Sequence, residues 1–586
     1  MTPTPSTNSE LPFRNADFAS LCEALDYAAR GQAGFNFYNA RGQLTATMPY
    51  AALKRRAEAF ARRLIVAGIG RGERMLLVAE TDADFIVAFF GCQYAGIVPV
   101  PVSMPAGLGA KDSYIAQLTL QLRGSAAVAA MAPDGLEKFI AEAAQGLPLK
   151  LQGAPSFFHA LPESDVALRP FGAQDRCYLQ YSSGSTRFPH GVDITQKALM
   201  ANIGAISRHG LGILAGDRSV SWLPLYHDMG LIGFVFTPMM NQCSSDLMPT
   251  REFARRPLTW LSLMAQNGAT MTYSPTFGYD LCTRRIGEEA LKGLDLSAFR
   301  RAGIGGDMIQ PAVLNRFAEV FAPAGFRAAA LHPSYGMAET CVGISFAPLD
   351  SGLRVDRVSR AALAQGRAEP APAEASDELA RDLVICGAPL PGHVVEVRDE
   401  QGRTLGDRQV GRIFVRGPSV MAGYFNEPEA TRAVLSEDGW LDTGDLGYRL
   451  NGELVITGRA KDLIIVNGRN VWPQDIEWAV ESLPGLRRGD VAAFSIEDAQ
   501  AGERVVVLVQ ARLASAEARQ KLIREVEGVV RESSALDCTV ALVPPHGLPQ
   551  TSSGKLSRSR ARANFLQGVY AAGADDGAPA DATVDA

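Results

Sequence analysis

Between residues 48 and 102 the apolar positions switch back and forth between two periods. Leu53, Ala57, Phe60, Ala61, Leu64 and Ile65 recur at intervals of three and four, the face of a helix, and MLLVA at 75–79 is a short unbroken run of strand type. DFIVAFFGCQYAG (84–96) then reads as a second helix and IVPVPV (97–102) as a second strand. Helix, strand, helix, strand is the rhythm of an α/β layer. It recurs through 177–181, 219–223, 270–274 and 301–304, each a short run ending in a loop that contains Gly, Ser or Pro. Loops leaving the carboxyl ends of such strands are where ligands usually sit. The longest charge-free segment, 85–110, has membrane-spanning length. Gln93, Ser103 and the prolines at 99, 101 and 105 interrupt it, so it reads as a buried helix followed by a strand.

The character changes at 351–381, which is rich in Ala, Pro and charge and poor in large apolar residues, and reads as an exposed insertion or flexible loop. LVICG, VVEVRD, GRIFVRG and ELVITG follow as β-type runs of a compact β subdomain. Beyond a boundary near 458–462, strands mix with two helices. The second carries Leu522, Ile523, Val526, Val529 and Val530 at helical spacing. The chain therefore divides into a flexible N-terminus (1–12), a large α/β body (13–457), a small α+β domain (458–570) and a tail (571–586) too poor in apolar residues to order.

Composition narrows this further. At ~100–200 residues per domain, 586 residues make three or four domains' worth of chain and exclude a small disulfide scaffold. With 57 Lys+Arg against 63 Asp+Glu, no global basic field exists to hold nucleic acid or an anionic membrane. The eight cysteines are scattered without C-x-x-C or metal-ligand spacing, and the N-terminus lacks a basic, apolar leader, so a cytoplasmic protein with reduced thiols and no membrane span is expected.

Six segments carry candidate chemistry. YLQYSSGSTRFPHGV (178–192) is a strand running into a Ser/Thr/Gly loop, where small residues let backbone N–H groups converge on phosphate; on composition alone it could also be a linker. SWLPLYHDMG (221–230) ends in a His-Asp pair that is either structural or functional, and LIGFVFTPMM with YSPTFGYDLC (273–282) could wall an apolar tunnel or be plain core. GIGGDM (303–308) and HPSYGMAET (332–340) offer glycines that admit a planar base, an aromatic face at Tyr335 and a hard oxygen ligand at Glu339. GWLDTGDLGY (439–448) places Asp445 on a tight turn, as turn former or as acceptor of ribose hydroxyls. Arg459 and Lys461 lie at the junction to the small domain, and Lys555 on the late loop LPQTSSGKL.

S-S-G-S-T-x-x-P-x-G closely resembles the phosphate loop of the acyl-adenylate-forming superfamily, although Arg187 stands where Gly is usual and His190 where Lys is usual. W-L-P-x-Y-H-D-M-G, Y-G-x-A-E, G-R-N-x-W-P-Q-D-I-E and the insertion at 350–382 are most similar to fatty acyl-AMP ligases. The resemblance implies an α/β fold: a large domain of two helix-flanked β-sheets plus a distorted β-barrel, and a small mobile α+β domain. It implies ATP and Mg²⁺ as cofactors, with Ser182, Ser183, Gly184, Ser185, Thr186 and Arg187 on the phosphates. Gly305, Gly306, Asp307, Tyr335, Gly336, Met337 and Ala338 would surround the base, Asp445 and Arg459 the ribose, and Glu339 the metal. Trp222, His227, Asp228, Met229, Gly230 and Phe277 would line the acyl and adenylate pockets, with Lys555, Glu339 and His227 catalytic and Lys461 the hinge. The implied activity is conversion of a medium- to long-chain fatty acid to acyl-AMP, then transfer to the phosphopantetheine thiol of an acyl carrier protein acting in trans. An acyl-CoA synthetase shares every adenylation motif. A catalytically weak nucleotide- or acyl-binding protein is the reading of another class, motivated by His190 and Ala338.

Overall fold

The computed structural model describes residues 11–105, 111–181, 189–466, 469–498, 502–513, 515–534, 536–551 and 555–570. Most of the N-terminal stretch 1–12, the phosphate loop 182–187 and the tail 571–586 lie outside the described residues.

Six short strands form the parallel centre of a nine-stranded sheet, in the order Leu331–Tyr335, Arg301–Ile304, Met271–Ser274, Arg218–Ser221, Ser244–Leu247, Gly34–Tyr38. Antiparallel strands finish both edges. A second sheet, all parallel, orders Val98–Val102, Arg74–Val78, Ala129–Met131, Leu151–Gly153. The apolar stretch that began at Phe85 is the helix Ala83–Ala95, buried on every side, and the strand Val98–Val102. Asp82 caps the helix by accepting from Phe85 N at 2.8 Å. Gly96 ends it at φ 69°, where a Cβ would stand 2.7 Å from Arg169 O. No helix among the described residues is long and apolar enough to cross a membrane.

The β subdomain departs from expectation. Val394–Arg398, Gly411–Arg416, Leu441–Leu450 and Glu453–Arg459 form an open antiparallel sheet, with no closed barrel among the described residues. The chain at 386–387 covers the exposed edge instead: Cys386 N donates to Leu454 O (2.8 Å) and Leu454 N to Gly387 O (2.9 Å).

The insertion departs further, being folded. Val355–Ser359 and Ala380–Val384 pair antiparallel and enclose the short helix Arg360–Leu363. Val358, Leu363, Ala368 and Leu383 bury themselves against Tyr448, Val455 and Trp472. Leu353 and Val355 pack instead on the main core and Leu379 stays exposed, a division that composition does not register. From residue 464 onward two further clusters form on both faces of the three-stranded sheet Val491–Asp498, Gly502–Gln510, Cys538–Val543, with Leu522, Val526 and Val530 facing one of them. All eight cysteines are free thiols, seven of them buried.

Leu363→Ala should cost ~2–4 kcal/mol, the range for emptying a buried leucine site, and lower the thermal midpoint. A loop residue in solvent would cost within ~0.5 kcal/mol.

Candidate active site

Four loops leave the carboxyl ends of the strands Arg218–Ser221, Met271–Ser274, Arg301–Ile304 and Leu331–Tyr335, so the segments singled out from sequence meet over one edge of the sheet. Two cavities open there. The first, about 400 Å³, runs from Lys555, Arg459, Glu339 and His227 down to Ile213, Cys243, Met271 and Phe346, charged at its mouth and mostly apolar in its depth. The second, about 440 Å³, lies between the large body and the small domain, lined by Phe277, Asp307, Tyr335 and Asp445 and, across the gap, by Glu481 and Arg488. Gly306, Gly336, Arg459 and Lys555 border both.

Local geometry explains the glycines. A Cβ on Gly336 would lie 1.9 Å from Val342 O, so only glycine lets the 336–343 turn fold back on the strand. Gly306 takes φ 81°, left-handed, and a Cβ there would meet the Met229 methyl at 3.4 Å. Tyr335 donates its hydroxyl to Asp445 Oδ2 at 2.7 Å, and Arg459 Nε lies 3.3 Å from Asp445 Oδ1. Asp445 and Arg459 sit opposite each other on adjacent strands. Gly305, Met337 and Ala338 line the first cavity, while Asp307 lines the second and accepts from its neighbour Met308 N at 2.8 Å.

Not every candidate reaches a cavity. Trp222 is 2% exposed, stacked on Phe253 with ring centroids 4.0 Å apart, and borders neither. Gly230 is likewise behind the wall, where a Cβ would strike Pro224 O at 2.1 Å. Phe277 meets Trp222 edge-on at 5.5 Å and faces the second cavity rather than the apolar one. His227 and Asp228 border the first cavity, with His227 Nδ1 2.6 Å from Asp228 Oδ1, so the His is both internally satisfied and facing the site. Ser182 to Arg187 lie outside the described residues.

Electrostatics concentrate at the shared border. Burial pulls the Lys555 ammonium below the ordinary lysine range, with Arg459 adding to it and Asp307, Asp228 and Asp445 opposing. Burial and Arg459 lower Lys461 in the same way. Burial pushes Glu339 up, and a hydrogen bond from Tyr424 to Glu339 Oε1 (2.9 Å) holds it back. Burial also pushes Asp228 up, but His227, the Met229 N–H and Lys555 together leave the carboxyl lowered. Among the described residues no group of three or more His, Cys, Asp or Glu could hold a metal alone. A single buried carboxylate such as Glu339 suits Mg²⁺, whose remaining ligands are phosphate oxygens and water.

Sequence reasoning passed over Tyr424. Its segment, MAGYF, has neither period nor motif, and an aromatic between small residues was the only signal. Its ring stacks on His190.

The family described as AMP-binding enzyme matches residues 27–425. The chain belongs to that family. This AMP-binding enzyme is 50% identical over 571 residues to a Caulobacter vibrioides protein named "Putative acyl-CoA synthetase", covering 96% of this chain and 98% of that one. It is 31% identical to the medium-chain-fatty-acid–[acyl-carrier-protein] ligase JamA of Moorena producens, over 94% of this chain and 96% of the relative. A solved structure from studies of fatty acyl-adenylate ligases of E. coli and L. pneumophila superposes with a TM-score of 0.91 at 44% identity, over 96% of this chain and all of that one.

Asp445→Ala leaves the Tyr335 hydroxyl and the Arg459 guanidinium without their shared acceptor. AMP affinity measured by calorimetry should fall roughly 10- to 100-fold, the ~1.5–3 kcal/mol of a hydrogen bond to a charged group.

Proposed function

We propose that the protein activates a medium- to long-chain fatty acid with ATP, releasing pyrophosphate, and passes the acyl group of the acyl-AMP to the phosphopantetheine thiol of an acyl carrier protein. The observation that carries this reading is the position of Lys555. The small domain places it at the border between a cavity whose apolar depth fits an acyl chain and a more polar one bounded by Tyr335 and Asp445.

In this mechanism the carboxylate attacks the α-phosphorus in line, and the protein's work is positioning and charge stabilisation rather than proton transfer. Tyr335 stacks on the base beside Gly305, Gly306, Asp307, Gly336, Met337 and Ala338, and Asp445 with Arg459 holds the ribose. Lys555 offsets negative charge where carboxylate meets phosphate. Ser182, Ser183, Gly184, Ser185, Thr186 and Arg187 grip the departing pyrophosphate. Glu339 holds Mg²⁺, which supplies charge neutralisation on the phosphates when bound. The transfer step needs no protein nucleophile, because a thiol attacks the mixed anhydride directly. The division at about 457, with Lys461 as the hinge of the small domain, and cytoplasmic residence belong to the same reading.

The choice of acceptor rests on the insertion. Arg360 Nη1 and Arg381 Nε approach the two oxygens of Asp475 at 2.9 and 2.8 Å, from the insertion to the first turn of the small domain's helix Pro473–Glu481. Arg381 also lies over the Trp472 ring at 4.9 Å, and Asn470 N donates to Ala364 O at 3.2 Å. This clamp resists rotation of the small domain, which favours a carrier protein over CoA. The name of the Caulobacter relative favours CoA, and the two are separated by supplying ATP, Mg²⁺ and C8–C18 acids and then either CoA or holo carrier protein. Efficient acyl-CoA formation overturns the carrier reading, and Arg360→Ala, by loosening the clamp, should raise whatever CoA transfer exists.

Lys555→Ala should lower acid-dependent exchange of labelled pyrophosphate into ATP by ~10²–10³ while ATP still binds. Near-normal exchange in that variant would sink the assignment. Lys555 works as a cation, so activity is full below its lowered pKa and is lost as pH rises through it. The alkaline limb should therefore fall below the ordinary lysine range of ~10.4 and disappear in Lys555→Arg, which stays charged.

A further inference from the structure

Glu339 is held from behind by a chain of side chains that no motif announces. The segment 422–425 lies along the strand Gly191–Thr195: Asp193 N donates to Gly423 O (2.9 Å), Ala422 N to Asp193 O (3.1 Å) and Phe425 N to Gly191 O (2.8 Å). These bonds fix the backbone at Tyr424, whose N–H also donates to Thr431 Oγ1 at 2.9 Å. From that anchor the Tyr424 hydroxyl reaches Glu339 Oε1 at 2.9 Å. Met421 N donates to Glu339 O at 2.8 Å, so one short loop grips both the main chain and the side chain of Glu339.

The far face of the Tyr424 ring is set by His190. The two rings stack at 4.6 Å with 29° between their planes. His190 Nδ1 is in turn 2.7 Å from Glu427 Oε2, which belongs to the same loop as Tyr424. The imidazole is thus held by Tyr424 and Glu427 while it borders the first cavity. This gives the departure from the usual Lys a physical sense, since a flat ring can stack on an aromatic face and a lysine stem cannot fix its orientation in the same way. His190 also stands at the end of the Ser/Thr/Gly loop. The row Glu427, His190, Tyr424, Glu339 thus joins the segment that reads as the phosphate grip to the carboxylate that reads as the metal ligand.

We propose that Tyr424 is a positioning residue for Glu339, fixing the carboxylate for a divalent cation, and that His190 keeps the Tyr424 ring in place. The proposal rests on the reading of Glu339 as metal ligand given above. Removing a partner that orients a metal-binding carboxylate typically costs ~10–100-fold in metal affinity.

The test is Mn²⁺ titration of the full-length protein with ATP and no fatty acid, followed by electron paramagnetic resonance, alongside ATP binding measured in EDTA. Tyr424→Phe should weaken Mn²⁺ binding about tenfold or more, while metal-free ATP binding stays within about twofold. His190→Ala should show part of the same loss, His190→Phe should recover it through stacking, and His190→Lys should not. Equal losses with and without metal, or unchanged Mn²⁺ affinity in Tyr424→Phe, overturn the proposal and leave the adenylation reading standing. A wild-type protein whose ATP binding ignores the metal removes the role of Glu339 and this proposal together.

Discussion

One carboxylate ties three parts of the chain to one another. Asp445 projects from the β subdomain, accepts the hydroxyl of Tyr335 at the end of a central strand of the large sheet, and pairs with Arg459, the residue from which the chain passes into the small domain. A buried carboxylate without partners is expensive, so each of these units is held where it satisfies the same charge. The cleft is a consequence of this arrangement. The sheet supplies glycine-rich floors, the subdomain supplies the anion, and the segment entered at Arg459 places Lys555 beside them. The mixed population of Asp228, Asp307, Asp445, Arg459, Lys461 and Lys555 leaves no dominant sign of charge until the phosphates arrive.

The same logic governs the insertion. Arg381 is 3% exposed; Thr457 O accepts from its Nη2 at 3.4 Å, and its charge is met by Asp475 and the Trp472 face. Asp475 and Trp472 belong to the other side of the domain boundary. The insertion and the small domain are therefore each other's solvation, and moving one without the other would leave buried charge unmatched.

The layer rhythm of 48–102 was plain in sequence because periodicity reports burial directly, and the helix Ala83–Ala95 with its strand follows it closely. Motif order was equally legible, since Asp445, Arg459 and Lys555 converge as spacing alone could not have required. What composition could not supply was long-range pairing. The stretch 351–381 looks like a loop until Asp475, more than 90 residues onward, is seen to match its arginines. Direction was also hidden: Trp222 belongs to a recognisable motif, yet its ring turns into the core against Phe253. Tyr424 shows the limit most clearly, because its importance lies wholly in what it touches.

The buried cysteines acquire a meaning from the chemistry beside them. A mixed anhydride is destroyed by any competent thiolate, and Cys243 lines the cavity assigned to the acyl chain. Burial pushes its thiol up, as it does that of Cys386 in the wall of the second cavity, so both stay protonated at neutral pH. Apolar packing thus serves as chemical silence for these sulfurs: kept as buried thiols, they are poor competitors for an acyl group held beside them.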